Sequence, residues 1–279
     1  QEEHDQRLRK VLETVRQSGL KLNAKKCQFS THEMTFLGDK LSDRGVSPDP
    51  GKIAGITDMP TPTCKKDVQR IMGMINYLGK FVPNLSTKTS ALRKLLHVDT
   101  VWRWEHEHEK EWIGIKDFLT TEPLLQYFDP QRATKITSDA CRDGIGFALL
   151  QKHDDQWLPV AFASRAMTSA ECNYSQIEKE LLSMVAATEK FHEYIYGATV
   201  EAETDHKPLI SLHNKPLSEL SPRLQRLMLR LRRYDLNLSY TPGKYLVIAD
   251  TLSRAYDPKS AKSTTEEEIA AHVKCVKNS

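Results

Sequence analysis

The sequence predicts an α+β amino-terminal part with a basic helical cluster, followed by an α/β domain on a five-stranded mixed sheet flanked by helices. Three observations predict it. Apolar residues near the start recur at helical spacing. Helical periodicity then continues from Thr61 to His97, where seven lysines and arginines face Asp67 as the single acid. From Thr134 onward, short β-prone runs alternate with helical runs, the pattern of helices packed on a mixed sheet. A length of 279 residues fits one to three domains. No run reaches the ~18 apolar residues of a membrane span. The five cysteines are scattered and include no Cys-x-x-Cys, which disfavours a zinc or disulfide framework and fits a reducing, intracellular setting. The chain opens Gln1-Glu2-Glu3-His4-Asp5, with no signal-peptide pattern and no initiating Met, so a fragment or processed product is expected.

Taken in order, Glu3 to Ser18 reads as an amphipathic helix through Leu8, Val11, Leu12 and Val15, with Gly19 as its C-cap. Leu20 to Phe29 and Met34 to Leu41 read as β-prone segments. Gly45, Pro48 and Pro50 end this unit. Lys52 to Met59 is a short helix stopped by Pro60 and Pro62. A longer one follows over Lys65 to Phe81, with Val68, Ile71, Met72, Ile75, Leu78 and Phe81 on one side, and a third over Ser86 to Leu96. An acidic connector, Trp102 to Glu109, leads into a helix over Trp112 to Leu119 and an extended stretch from Pro123 to Phe128. Strands are read at Thr134–Ser138, Gly146–Gln151, Leu158–Ala163, Thr199–Thr204 and Asp235–Tyr240. Helices are read at Ser175–Tyr194, Pro208–Leu212, Pro222–Arg233 and Leu246–Arg254, before a polar tail from Ala255.

Four carboxylates in the second half stand where metal-ion chemistry can be built. Asp139 and Asp205 end β-prone segments, Glu180 lies in a helical run, and Asp250 sits in Ile248-Ala249-Asp250-Thr251. Acids at strand ends and on adjoining helices can converge above one sheet edge. Converging carboxylates repel unless a hard cation such as Mg²⁺, which prefers oxygen ligands, lies between them. At 100° per residue, Glu178 and Glu180 fall on opposite flanks of the apolar face set by Ile177, Leu181, Met184 and Phe191. Periodicity leaves open which of them joins the aspartates. Neither the two histidines of the connector, His106 and His108, nor the pair His272 and Cys275 in the tail makes a metal site by number or spacing. Five arginines and no acid lie between Ser221 and Arg233, and this second basic segment points to a polyanionic partner.

The motifs Thr137-Ser138-Asp139-Ala140, Tyr174 to Leu182, Thr204-Asp205-His206-Lys207-Pro208-Leu209 and Ala249 to Arg254 resemble, in order, those of the ribonuclease H domain in gypsy-type LTR-retrotransposon Pol polyproteins. Gly19-Leu20-Lys21-Leu22-Asn23, Lys26-Cys27, Phe29 and Phe36-Leu37-Gly38 look like the end of a reverse-transcriptase palm with its primer-contacting hairpin. Pro60, Pro62, Gly73, Asn76, Tyr77 and Phe81 look like the thumb, and Trp104 with Phe118 to Pro123 like the connection. The resemblance implies palm end at 1–47, thumb at 48–98, connection at 99–130, ribonuclease H at 131–256 and a tail at 257–279. The polymerase signature Tyr-x-Asp-Asp is absent, so no nucleotide incorporation by these 279 residues is expected. Cys141 stands where the family usually has Ser, and Leu78-Gly79 where Tyr-Arg is usual, a change that would weaken duplex binding.

What the resemblance implies is hydrolysis of the RNA strand of RNA/DNA hybrids with two Mg²⁺ ions, Mn²⁺ being able to substitute. It makes Asp139 the shared ligand, puts Glu180 and Asp205 on one ion and Asp250 on the other, and selects Glu180 as the acid directly before Leu181-Leu182. No organic cofactor is implied. Phosphate contacts are expected from Lys207, Arg223, Arg226 and Arg230, and from Lys65, Lys66 and Arg70 of the helical cluster. The expected partners are an RNA/DNA hybrid, the reverse-transcriptase palm and fingers, and, as a further candidate, a second Pol subunit; a membrane is not among them. His206 is a candidate for product release, with strand-end packing its plainer role. Tyr77 and Phe81 could stack on nucleic acid or serve the helical core, and Asn23 and Ser175 are expected to cap turns. The alternative function is an inactive, domesticated remnant that binds nucleic acid or protein.

Overall fold

The computed structural model describes residues 2–121 and 123–242. The chain forms two compact units, Gln1–Met34 and Thr35–Ser279. The fourth expected carboxylate, Asp250, the helix read at 246–254 and the tail lie outside the described residues.

The first unit is led by α1 (Glu2–Gln17), with Glu2, Glu3 and Asp5 in its first turn and Arg16 in its last, both favourable to the helix dipole. Gly19, at φ 70°, ends it in the left-handed conformation that glycine adopts without steric cost. The strand read over Leu20–Phe29 does not form. The Asn23 side chain accepts the Lys25 N–H at 3.0 Å and turns Ala24–Lys26 into a single 3₁₀ turn instead.

The strand read over Met34–Leu41 is broken. Leu37 and Gly38 both take positive φ, 50° and 81°. They separate β1 (Glu33–Phe36) from β2 (Asp39–Ser42), which pairs antiparallel with β3 (Gly45–Pro48). The third strand was not read because Gly45, Pro48 and Pro50 carry the signals of a chain break. Val46 and Leu125 exchange backbone hydrogen bonds of 2.8 Å each.

Next come α2 (Pro50–Thr57), capped by Asp49, and α3 (Lys65–Tyr77), which buries Val68, Ile71, Met72 and Ile75. The last turn expected of α3 is a separate 3₁₀ turn, Gly79–Phe81. The helix read over Ser86–Leu96 is two pieces, α4 (Leu85–Lys88) and α5 (Ser90–Lys94), because Thr89 leaves helical geometry and its hydroxyl donates back to Leu85 O at 2.7 Å. Glu111, on α6 (His106–Thr120), accepts the N–H groups of Ala91 and Leu92 and so caps α5 from outside. α6 begins earlier than read. His108 Nδ1 accepts the Glu105 N–H at 3.0 Å, which makes this histidine part of the helix cap.

The sheet follows: β4 (Thr134–Ala140), β5 (Gly144–His153) and β6 (Gln156–Ala166) form an antiparallel meander. After α7 (Ser169–Cys172), α8 (Gln176–Lys190) and α9 (His192–Ile195), β7 (Thr199–Thr204) returns parallel to β4. α10 (Lys207–His213) and α11 (Pro222–Leu231) lead to β8 (Asp235–Tyr240), parallel to β7. The order is β6-β5-β4-β7-β8, the expected five-stranded mixed sheet. The helical crossover through α8 is what a parallel return requires.

Alternation along the strands divides two cores between the two faces. On one, Ile136, Phe147 and Leu149 pack with Leu181, Met184, Val185 and Phe191, and with Leu227 and Met228 of α11. On the other, Ala148 and Phe162 join Phe81, Val82, Trp112, Ile115 and Leu119 of the helical cluster. The Ser86 N–H donates to Ser164 Oγ at 2.8 Å, and the Asn84 side chain occupies the space above Gly146 that any Cβ would need. Among the described residues no helix is long and apolar enough to cross a membrane.

Candidate metal centre

Asp139 is the sixth residue of β4, and Asp205 directly follows β7, the parallel neighbour of β4. Both therefore leave the sheet at the same edge. Glu180 comes to them from the first half of α8, which packs across that face. The three carboxylates each offer an oxygen, and these oxygens all lie within 4.8 Å of one another. Asp205 is exposed, Asp139 half-buried and Glu180 4% exposed.

This crowding has an electrostatic signature. Burial, joined by the charges of Asp139 and Asp205, pushes the Glu180 carboxyl up to about 7. Burial, with the Asp205 charge adding to it, also raises Asp139, while hydrogen bonds from Cys141 and the Ala140 backbone oppose the rise. Gln176 Nε2 donates to Glu180 Oε1. Glu180 Oε2 is buried with no hydrogen-bond partner. A buried, partnerless carboxylate oxygen facing two further carboxylates fits a hard divalent cation, whose ligands are oxygens.

The structure separates the two glutamates that periodicity left open. Glu178 is turned away: its Oε2 accepts from the Ser175 N–H (2.9 Å) and hydroxyl (3.0 Å), closing the capping box of α8. Its Oε1 accepts from Arg223 at 3.0 Å. The spacing Ser175-x-x-Glu178 carried that signal in the sequence. The part played by Gln176 was missed, since a glutamine one turn before a carboxylate has no distinctive pattern. Cys141 also belongs to the site's border, with Sγ 3.6 Å from Asp139 Oδ2. Burial beside the carboxylates pushes its thiol up.

The expected phosphate contacts are placed differently from one another. Lys207 and Arg226 are exposed, and Lys207 begins α10 two residues after Asp205. Arg223 lies 4.2 Å from the Tyr174 ring centroid as well as pairing with Glu178. Arg230 forks onto Glu189 at 2.8 and 2.6 Å, a bidentate pair that occupies its guanidinium. In the helical cluster, Lys65 Nζ donates to His97 O at 2.6 Å, Arg70 lies 3.8 Å from Asp67, and Lys66 is exposed. Phe81 is fully buried, a core residue. Tyr77 is 47% exposed, and its hydroxyl donates to Leu37 O. Asn23 and Ser175 are both N-caps. His206 is the N-cap position of α10, its N–H donating to Thr204 Oγ1 at 3.1 Å.

Comparison with known proteins gives the same outline. Residues 104–202 match the family model described as the RNase H-like domain found in reverse transcriptase. The chain is 36% identical over 247 residues to the retrovirus-related Pol polyprotein from transposon 412 of Drosophila melanogaster, covering 88% of this chain and 20% of the relative. It is 32% identical over 259 residues to the transposon Tf2-3 polyprotein of Schizosaccharomyces pombe, covering 91% of this chain and 19% of the relative. The chain thus spans about a fifth of the length of these curated relatives. Among solved structures, the foamy viral protease-reverse transcriptase in complex with an RNA/DNA hybrid superposes with a TM-score of 0.72 at 24% identity, over 86% of this chain and 33% of that one. The same protein in complex with dsDNA gives 0.71, again at 24% identity, over 86% and 51%. At that identity the likeness establishes the fold.

Proposed function

We propose, for a chain that is homologous over most of its length to the Pol polyproteins of gypsy-type LTR retrotransposons and carries the ribonuclease H-like domain found in reverse transcriptase, that it hydrolyses the RNA strand of RNA/DNA hybrids. The observation that carries this reading is the meeting of Asp139, Glu180 and Asp205 within 4.8 Å around a buried carboxylate oxygen with no donor. These three, with Asp250 added on the strength of its motif, would hold two Mg²⁺ ions. Bound there, the metal would supply charge neutralisation at the scissile phosphodiester and a lowered pKa for the attacking water.

The chain's own groups do the rest. Gln176 holds the Glu180 carboxyl through Oε1 and leaves Oε2 without a donor. With no cation bound, a proton resides on the Glu180 carboxyl up to about pH 7, and metal loading requires its loss. Asp139 sits on a central strand anchored by the β5 ladder at Gly146, so its position is rigid. Lys207 and Arg226, both exposed, would meet phosphates flanking the cluster, and Arg223 would do so on leaving Glu178. Arg230 would first have to leave Glu189.

The test is cleavage of a labelled RNA/DNA hybrid in Mg²⁺ by the wild type and by Asp139→Asn. Cutting confined to the RNA strand and lost in the variant is the expected result. Binding without cutting in both Mg²⁺ and Mn²⁺ would overturn the hydrolytic reading in favour of a nucleic-acid-binding remnant.

A further inference from the structure

The start of α4 sits on β5 directly across from Asp139. Asp139 pairs with Gly146 in the β4–β5 register, and opposed residues of an antiparallel pair present their side chains on one face. Gly146 has no side chain, and Asn84 takes that place. A Cβ on Gly146 would lie 1.8 Å from Asn84 Oδ1 and 2.9 Å from its Cγ. Opposed Cβ positions are roughly 5 Å apart, so the Asn84 carboxamide stands beside the Asp139 side chain as a cross-strand neighbour supplied by another element. The next bare position on that face is Gly144, where a Cβ would meet Ser86 Oγ at 2.8 Å. Ser86 is 3% exposed, and its hydroxyl donates to Ile145 O, between the two glycines, at 3.3 Å. Its N–H reaches Ser164 Oγ on β6, and its own carbonyl accepts from the Arg93 guanidinium. Asn84 is held at φ 51° and ψ 37°, left-handed geometry in which asparagine is among the best-tolerated residues after glycine.

We propose that Asn84 and Ser86 are positioning residues of the metal centre. Seated on the two glycines, they fix the end of β4 and β5 that carries Asp139, so that affinity for the cation depends on the helical cluster. The inference rests on the hydrolase reading for the cation and on this packing for the positioning. Asp139 needs such support. The ladder from β4 to β7 ends at Thr137, and the ladder to β5 ends one residue past Asp139, at Ala140. Asp139 therefore owes its place in the sheet to β5, and β5 is braced at that point by α4. Beyond the ladder the chain turns, with the Cys141 N–H donating to Gly144 O at 2.9 Å and the Cys141 thiol reaching Asp139 Oδ2 at 3.6 Å. A shift of the Gly144–Gly146 backbone would thus reach Asp139 both through its strand partner and through Cys141. Metal ligands must be held to within about 0.5 Å, a tolerance set by the residues packed around them.

The test exchanges volume across this contact and reads Mg²⁺ affinity of the whole chain by calorimetry, with the thermal midpoint measured beside it. Gly146→Ala puts a methyl where Asn84 sits and should weaken Mg²⁺ binding about tenfold, the scale of losing a residue that orients a metal ligand. Asn84→Gly keeps the left-handed backbone without strain, removes the seated group, and should weaken binding by a smaller factor. In the double variant Asn84→Gly/Gly146→Ala the methyl has room, its next neighbour being the residue 84 Cα at 3.4 Å, and affinity should return close to that of the wild type. Ile115→Val, a small loss in the core that α4 shares, should lower the midpoint and leave Mg²⁺ affinity unchanged. Wild-type Mg²⁺ affinity in both single variants, whatever their midpoints, would overturn the positioning role and leave the hydrolase reading intact. An affinity lost in the single variants and not recovered in the double would also overturn it. Affinity that follows the exchange, in a chain that never cuts a hybrid, would uphold the positioning and overturn the hydrolase reading. No Mg²⁺ binding by the wild type would overturn both.

Discussion

Glu180 concentrates the energetics of the site. Its carboxyl is raised from 4.5 to about 7 in the folded chain, so between those values the native state holds a proton that the unfolded state has lost. Stability contributed by this group is complete below pH 4.5 and is lost as pH rises to about 7. The loss is on the order of 3 kcal/mol at 1.36 kcal/mol per pH unit. Asp139, raised in the same direction, adds to the trend. In metal-free buffer the thermal midpoint should therefore fall from pH 5 to pH 8, and Glu180→Gln should flatten that fall; an unchanged profile in the variant would place the strain elsewhere. Mg²⁺ should raise the midpoint far more at pH 8 than at pH 5, because only the ionised cluster binds it. Gln176→Ala should weaken Mg²⁺ binding in calorimetry, since Glu180 then has free rotamers to lose.

At the level of elements, α8 is built so that two acids two residues apart have separate duties. Glu178 closes the capping box with Ser175, and Glu180 enters the cluster. Ser175→Ala should cost about 1 kcal/mol in denaturant unfolding and leave metal affinity nearly unchanged; Glu180→Gln should do the reverse. This contrast also shows where the sequence was legible. The sheet's strands and α8 were readable because their apolar periods are unbroken. The expected carboxylates fell at strand ends and on the helix, and the three described ones do meet. The helical cluster was harder. Its breaks at Thr89 and at Leu37-Gly38 come from a side-chain hydrogen bond and from positive φ values, neither of which disturbs the apolar pattern. β3 pairs along its length with the adjacent β2 but is masked by its glycine and proline ends, and its further bridge to Leu125, some eighty residues away, leaves no mark in local patterning. Ion pairs such as Arg230–Glu189 were invisible for the same reason.

On the scale of the molecule, the five-stranded sheet is shared property. Ala148, Leu150 and Phe162 face a core whose other members, among them Phe81, Trp112 and Leu119, lie before residue 131. A chain cut to residues 131–279 should bind a hydrophobic dye and unfold at a lower temperature than the whole chain; an equal midpoint would show the helical cluster to be dispensable. Trp112→Ala, in the core shared with the helical cluster, should cost about 3–5 kcal/mol in denaturant unfolding.

The strand order has a kinetic corollary. β4, β5 and β6 are neighbours in the chain and can zip together early, whereas β7 reaches β4 only after the α8–α9 crossover is in place. Asp139 and Asp205 therefore stay apart through most of folding and are brought face to face in a late step, when non-local pairing closes the loop. Their mutual repulsion then weighs on the native state more than on the barrier to reaching it. A cation bridging them should slow unfolding and leave the refolding rate nearly untouched, so that the metal acts as a clasp on a finished fold and not as a nucleus for it. Stopped-flow refolding and unfolding with and without Mg²⁺ would read this directly, and a metal-accelerated folding limb would reverse the order of assembly.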